Sequence, residues 1–482
     1  MGRGTTLARL LRMWTWDFLK NNDCLPINRA QGSKSMIEDE DLSAEIQEHL
    51  QGLGKKYFSA IDVYRFLAQP ETMIRFNLKK APTERTARRW LKVMEYRYGT
   101  GKNGMYIDGH EREDVVEYRN NIFIPLWESI ESCMMTWTRD NVQVEPRDST
   151  KPKIVLLTHD ESTFYANDRR KTRWIHKDEK PEPARKGEGA SIMVSDFCSP
   201  DLGWLKSKDG KEEVRIIFKA GKNRDGYFGN EDLVKQTKHA IKLFKDNFGS
   251  TAIAAFAFDN ATTHQKRADD ALSARHMPKF PKHWLGKNGK ARMCHGRLPN
   301  GQPQTFYFSE DHPTNPGEFK GMEIILQERG LIRESKLRAQ CPKFKCADPQ
   351  AACCCRRVLF NQPDFLDQKP VLVELIESYG YIAFFYPKFH CELNFIEQCW
   401  GSGKYLYRML PLTQNEAQME QNIRSCLDQV DILKMRRFAN RSARFIFAYQ
   451  KGLNGTQATW VNKKYHGHRT IPESILELLE DM

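Results

Sequence analysis

Three apolar runs in this chain each lead into an acidic residue, and that pattern limits what the chain can fold into. Ile154-Val155-Leu156-Leu157-Thr158-His159 closes on Asp160-Glu161-Ser162, and Ala252 through Phe258 closes on Asp259-Asn260. The third run, Tyr379–Tyr386, precedes His390-Cys391-Glu392-Leu393-Asn394-Phe395-Ile396-Glu397-Gln398-Cys399-Trp400-Gly401-Ser402-Gly403-Lys404, which reads as the start of a helix with Glu397 in its first turn. Short apolar runs bounded by polar residues are the signature of buried strands. Acids that follow or begin regular elements in this way can meet at one edge of a sheet. A cluster of that kind is suited to holding divalent cations.

At 482 residues the chain is long enough for more than one domain. A net charge of +13 and a pI near 9.1 favour a polyanionic partner. No apolar run approaches the span of a bilayer, so no membrane partner is expected. Arg3, Arg9 and Arg12 flank too few apolar residues for a secretory signal. Of 12 cysteines, five crowd between 341 and 355. That is no evenly spaced disulfide framework, and it points to a reducing compartment with metal binding as one use.

Residues 1–37 read as an irregular N-terminus. From 38 to 138 the pattern is helical, with Leu42, Ile46, Leu50 and Leu53 at three- and four-residue intervals. Pro82 and Thr83 mark the start of a helix Thr83–Tyr98, and Glu84 in its first turn suits the dipole. That helix carries Ala87, Trp90, Leu91 and Met94 on one face and Arg85, Arg88, Arg89 and Lys92 on the other. A short basic helix after another short helix suits a helix-turn-helix that contacts DNA. The alternative is a solvated basic face on a small helical bundle.

From 152 to 276 strands and a helix alternate: Ile154–Asp160, Thr172–His176, Ala190–Phe197, a helix Glu231–Asn247, then Ala252–Asp259. A polar stretch, 277–370, interrupts the pattern before it resumes over 371–412. Residues 413–482 read as a helical, basic C-terminal region with Arg436, Arg437, Arg441 and Arg444. Three strands that could form a meander, followed by alternating helix and strand, is the order of an RNase H-like α/β core.

Two divalent ions can activate a nucleophile and stabilise a leaving oxygen at phosphorus, and Mg2+ or Mn2+ needs only a few carboxylates. Asp160, Asp259 and Glu397 are the candidates. Each has a plain alternative. Asp160 could be a strand-end carboxylate, with Glu161 the ligand instead; Asp259-Asn260 could be a turn pair; Asn394 and Glu397 could form a capping box.

These stretches resemble the mariner-like DDE transposases of the RNase H-like integrase superfamily, in particular copies of fungal type. The matching motifs are Asp160-Glu161-Ser162-Thr163-Phe164, the strand region 187–197, Phe258-Asp259-Asn260-Ala261-Thr262-Thr263-His264 and Leu393-Asn394-Phe395-Ile396-Glu397-Gln398-Cys399-Trp400-Gly401. The resemblance spans roughly 40–450 and is most specific in the last motif. It implies that Asp160, Asp259 and Glu397 bind the two metal ions. It also implies hydrolysis at transposon ends with strand transfer into target DNA, a dimer on paired ends, and nuclear residence. Phe395 stands where the family usually has proline, and Glu392 where it usually has aspartate. The interval of 138 positions from Asp259 to Glu397 far exceeds the family's usual one, so an insertion is expected there. The N-terminus is short for two complete helix-turn-helix units. The rival reading is a domesticated or decayed copy that only binds DNA; a host RNase H-like nuclease without strand transfer is a weaker third.

Within the insertion, Cys341, Cys346 and Cys353 offer three thiolates, and a structural Zn2+ takes four ligands. Cys355 is the expected fourth. The alternative is reduced thiols packed in a small subdomain. His264, five positions after Asp259, either contacts DNA, supports the metal site or is structural.

Overall fold

The computed structural model describes residues 3–20, 35–53, 58–94, 96, 109–168, 186–286, 289–346, 348, 350–465 and 469–480, and divides into units 1–103 and 104–482. In the first unit, α1 (Arg3–Lys20) is a helix where the sequence predicts an irregular terminus. Next come α2 (Glu40–Gly52), α3 (Ala60–Leu67), α4 (Pro70–Arg75) and α5 (Glu84–Val93). Leu42, Ile46, Leu50, Val63, Leu67, Ala87 and Trp90 form one buried cluster, as the three- and four-residue spacing requires. Thr83 caps α5, its hydroxyl accepting from the Thr86 N–H at 3.3 Å. The helix stops at Val93, short of the expected Tyr98, which lies outside the described residues.

The expected helical domain 38–138 does not stay whole. α6 (Glu113–Tyr118) and α7 (Ile124–Glu131), joined by a π-helical turn Arg119–Phe123, belong to the second unit. Phe123, Trp127 and Ile130 are buried there with the strand residues Leu156, Ala255 and Phe384.

The second unit is built on one mixed sheet. Its strands are β1 (Lys153–Tyr165), β2 (Ser191–Ser199), β3 (Gly203–Trp204), β4 (Ile216–Phe218), β5 (Ala252–Phe258) and β6 (Ile382–Phe385), and the order is β6-β5-β1-β2-β3, with β4 also on β2. β6, β5 and β1 run parallel, and the pairings of β2 are antiparallel. The expected strand Thr172–His176 lies outside the described residues. β5 reads Ala-Ile-Ala-Ala-Phe-Ala-Phe because it is covered on both sides, which removes any polar face. Alternation splits β1 between two cores. Leu156 faces α7 and the C-terminal helices, whereas Val155 and Leu157 face α8 (Asn230–Phe248).

Between β5 and β6, α9 (Gly321–Glu328), α11 (Cys355–Phe360) and α12 (Pro363–Leu366) share a separate hydrophobic cluster running from Leu272 to Phe365, and the short α10 (Ile332–Ser335) is flanked by Leu331 and Leu337, which pack against that cluster. α13 (Val371–Ser378) returns the chain to the main sheet through Leu372 and Ile376. After β6 come α14 (Ile396–Tyr407), α15 (Glu416–Asp428), α16 (Ile432–Gln450), α17 (Gly455–Lys464) and α18 (Glu473–Glu480). The basic cluster on α16 is partly structural. Arg444 is buried, and Arg436 stacks over Trp137 at 4.3 Å while bonding Asn141. No described helix is long and apolar enough to cross a membrane.

Candidate active site

Asp160 does not end its strand. β1 continues five residues further, because β2 supplies a ladder partner at every position and pairs Asp160 with Asp196. The carboxylate is 8% exposed, and its Oδ2 accepts a 3.0 Å hydrogen bond from Trp400 Nε1. Trp400 lies three residues after Glu397 on α14, a spacing that puts both on one side of the helix. One turn of α14 therefore delivers Glu397 and clamps Asp160.

The approach to α14 is stitched to the same strand. The Asn394 side chain accepts from the Thr158 hydroxyl and donates to the His159 carbonyl at 3.2 Å. Asn394 therefore does not form the expected capping box. Phe395 holds the cap position, and the Glu397 side chain is left exposed at the cleft.

Asp259 is the first residue beyond β5. Its Oδ1 is sealed from solvent and ion-paired with His264 Nδ1, while the side chain as a whole is 47% exposed, so Oδ2 carries the exposure. His264 reaches Glu161 Oε1 with its other nitrogen at 3.3 Å. Burial pulls the imidazole pKa down, but hydrogen bonds to Asp259 and Glu161 outweigh it and push the ring up to about 10. At 1% exposure His264 is a holder of carboxylates and offers no surface to DNA. Asp160 and Glu161 point to opposite faces of β1; Asp160 meets α14, and Glu161 is tied to His264.

The acids sense one another. Burial raises the Asp160 pKa well above the carboxylate range, and Glu397, Glu161 and Asp259 add to it. Glu397 opens to the cleft but stands among packed protein, and the desolvation raises its pKa, opposed by Lys404 and helped by Asp259. Asp259 and Glu397 line a cleft of about 380 Å³ with Asn260, Tyr386, Lys388 and His390. Asp160 and Glu397 are raised, whereas His264 holds Asp259 below the usual carboxylate range, and the donor atoms of all three are oxygen. That chemistry fits a hard divalent cation.

Sequence reasoning missed the layer beneath. Asp196 and Arg215, each 1% exposed at the side chain, pair at 2.7 Å. Arg215 covers Trp204 at 5.1 Å, and Trp204 packs on Trp400 at 5.2 Å. The available signal was Trp400 itself, an aromatic one turn after the candidate acid. A second network fixes the turn before α14. Glu392 Oε1 is hydrogen-bonded with His390 Nδ1 at 2.7 Å, the Tyr449 hydroxyl at 2.8 Å and His110 Nε2 at 3.1 Å. Burial opposes ionisation of Glu392, yet hydrogen bonds from His110 and His390 hold its pKa down to about 2.

Arg85, Arg88, Arg89 and Lys92 are all exposed along α5, with Arg88 paired to Glu84. The expected fourth cysteine ligand is wrong. Cys355 turns into the hydrophobic cluster, its single S–H within reach of the carbonyls of Leu337 at 3.2 Å and of Glu334 and Ser335 at 3.5 Å, whereas Cys354 joins Cys341, Cys346 and Cys353.

No protein-family model matches the chain, and no curated protein matches it. Among solved structures, it is similar to the "Mos1 transposase paired-end complex with left transposon end" at 9% identity and a TM-score of 0.41, over 94% of this chain and 86% of that one. It is also similar to the "Mos1 mariner paired end complex with Mn" at 8% identity and a TM-score of 0.43, over 91% and 86%. Both likenesses are loose.

Proposed function

We propose that the second unit is an RNase H-like core and that the chain is a metal-dependent DNA endonuclease and strand transferase of the mariner-like DDE type. What supports this reading is that Asp160, in the middle of β1, lies within electrostatic reach of Glu397 at the start of α14 and of Asp259 just beyond β5, and that the last two line one cleft. The sheet order, antiparallel at β1–β2 and parallel at β1–β5–β6, is the frame such a core needs. Asp160, Asp259 and Glu397 would hold two Mg2+ or Mn2+ ions, which supply Lewis-acid charge to the phosphodiester and activation of its nucleophile.

The chain's own residues do the positioning. Trp400 fixes the Asp160 carboxylate by its Nε1–H, and His264 occupies Oδ1 of Asp259 and leaves the exposed oxygen for the cleft. Asn394 ties the base of α14 to β1, so Glu397 and Asp160 keep their separation. Lys388, exposed on the rim of the cleft, suits a phosphate backbone there. The exposed basic side of α5 is assigned to double-stranded DNA, nuclear residence follows from that substrate, and a dimer on paired ends is what the mariner-like resemblance implies.

The test is Mg2+- or Mn2+-dependent cleavage of double-stranded DNA, with any inverted repeats found beside the coding sequence included among the substrates, by the parent chain and by Asp259→Ala. Cleavage is expected to fall by more than the roughly 10–100-fold that loss of a merely supporting partner costs, with DNA binding retained. Unchanged cleavage by Asp259→Ala refutes the assignment.

A further inference from the structure

The segment between β5 and β6 holds a second cluster, chemically unlike the acids and independent of the reading above. One sulfur from each of Cys341, Cys346, Cys353 and Cys354 lies within 4.8 Å of the other three. The Cys341 and Cys353 sulfurs are 3.4 Å apart, well beyond the about 2.05 Å of a disulfide. Four thiolates at about 2.3 Å from a tetrahedral centre are close neighbours of this kind.

The backbone around them is arranged to turn the thiols inward. Lys343 and Phe344 both take left-handed φ values, 51° and 57°, so the chain doubles back between Cys341 and Cys346. Non-glycine residues adopt that conformation at a cost, which something in the folded state must offset. The Phe344 N–H closes the turn on the Cys341 carbonyl at 2.8 Å. Opposite, the Cys355 and Arg356 N–H groups at the start of α11 donate to the carbonyls of Arg338 and Ala339 at 3.0 and 3.1 Å, setting the two cysteine-bearing segments side by side.

Apolar packing does little to hold this loop. Among described residues 340–354 only Cys341 and Cys354 are buried, and neither belongs to the hydrophobic cluster beneath. The next thiol, Cys355, is the one that packs into that cluster. The consecutive cysteines therefore divide into ligand and core.

We propose that Cys341, Cys346, Cys353 and Cys354 form a closed structural zinc site that staples the 340–354 loop to the start of α11. Four thiolates and no open position suit a structural ion.

The test uses the full chain purified under reducing conditions without added metal. Elemental analysis is expected to find one zinc per chain, retained by Asp259→Ala and Cys355→Ser and lost from Cys354→Ser and Cys346→Ser. Replacement by Co2+ in the parent chain is expected to give the thiolate charge-transfer and tetrahedral d–d bands; this readout stands even if a serine variant fails to fold. Absence of zinc together with no cobalt–thiolate band overturns the proposal. So do iron in place of zinc, a Cys341–Cys353 disulfide in the reduced preparation, or loss on Cys355→Ser with retention on Cys354→Ser.

Discussion

Replacing Arg215 by methionine should destabilise the second unit by an amount that grows with pH. Asp196 is 1% exposed and has Arg215 at 2.7 Å, yet burial still pushes its pKa up to about 6. A carboxyl whose folded-state pKa is raised favours folding at low pH. As pH climbs from about 4 to 6 the unfolded chain gives up its proton first, and stability falls. Without the guanidinium the folded-state pKa rises further, so the variant keeps losing stability above pH 6 where the parent has levelled off. From pH 6 to 8 that is two units at about 1.36 kcal/mol each, or at most about 2.7 kcal/mol of extra loss. At pH 5 Asp196 is protonated in both folded proteins, and the variant lacks the Arg215 Nε–H bond to that carboxyl, the stacking on Trp204 and the 3.1 Å bond to Asp428. The total at pH 8 should fall within the roughly 3–5 kcal/mol typical of a broken buried pair. Denaturant unfolding of the full chain, followed by tryptophan fluorescence at pH 5 and 8, measures both values. Adding Asp196→Asn to Arg215→Met should remove the pH-dependent part. An equal loss at both pH values, or no recovery in the double variant, would refute the reasoning.

Asn394→Ala removes two buried side-chain hydrogen bonds to β1, and should cost about 1–3 kcal/mol in unfolding free energy while lowering cleavage through a misplaced Glu397. An unchanged unfolding midpoint counts against that role. Glu392 titrates in the opposite sense to Asp196. Its folded-state pKa of about 2 lies below the ordinary 4.5, so its contribution is present above pH 4.5 and lost as pH falls through 2. Glu392→Gln should therefore be less stable by at most about 3.4 kcal/mol at pH 7, with the gap closing between pH 4.5 and 2 in an unfolding series.

What could be read from the sequence and what could not divide along the range of the interactions involved. β5, the position of Asp259 just beyond it and the placement of Glu397 in the first turn of α14 follow from short apolar runs and their flanking residues. The start of α5 follows from Thr83 and its hydroxyl. Asp160 was legible as a candidate but not as a mid-strand residue, because what extends β1 past the polar stretch 158–163 is pairing with a strand some forty residues away. The helices α6 and α7 have the same amphipathic spacing as α2 and α3, and periodicity cannot say whether an apolar stripe meets another helix or a distant sheet. Cys354 and Cys355 are equivalent as letters. They separate only because the Cys355 N–H is bound by the Arg338 carbonyl, which aims one thiol into the cluster and the other away.

The raised pKa of Asp160 has the same origin. Burial begins it, and charges contributed by α14, by its strand neighbour and by the end of β5 complete it, three sources that only the folded sheet brings within range. A carboxylate strained by its neighbours in this way is destabilised as an anion until a cation joins it, so the site should bind divalent ions more weakly as pH falls and the acids take up protons instead.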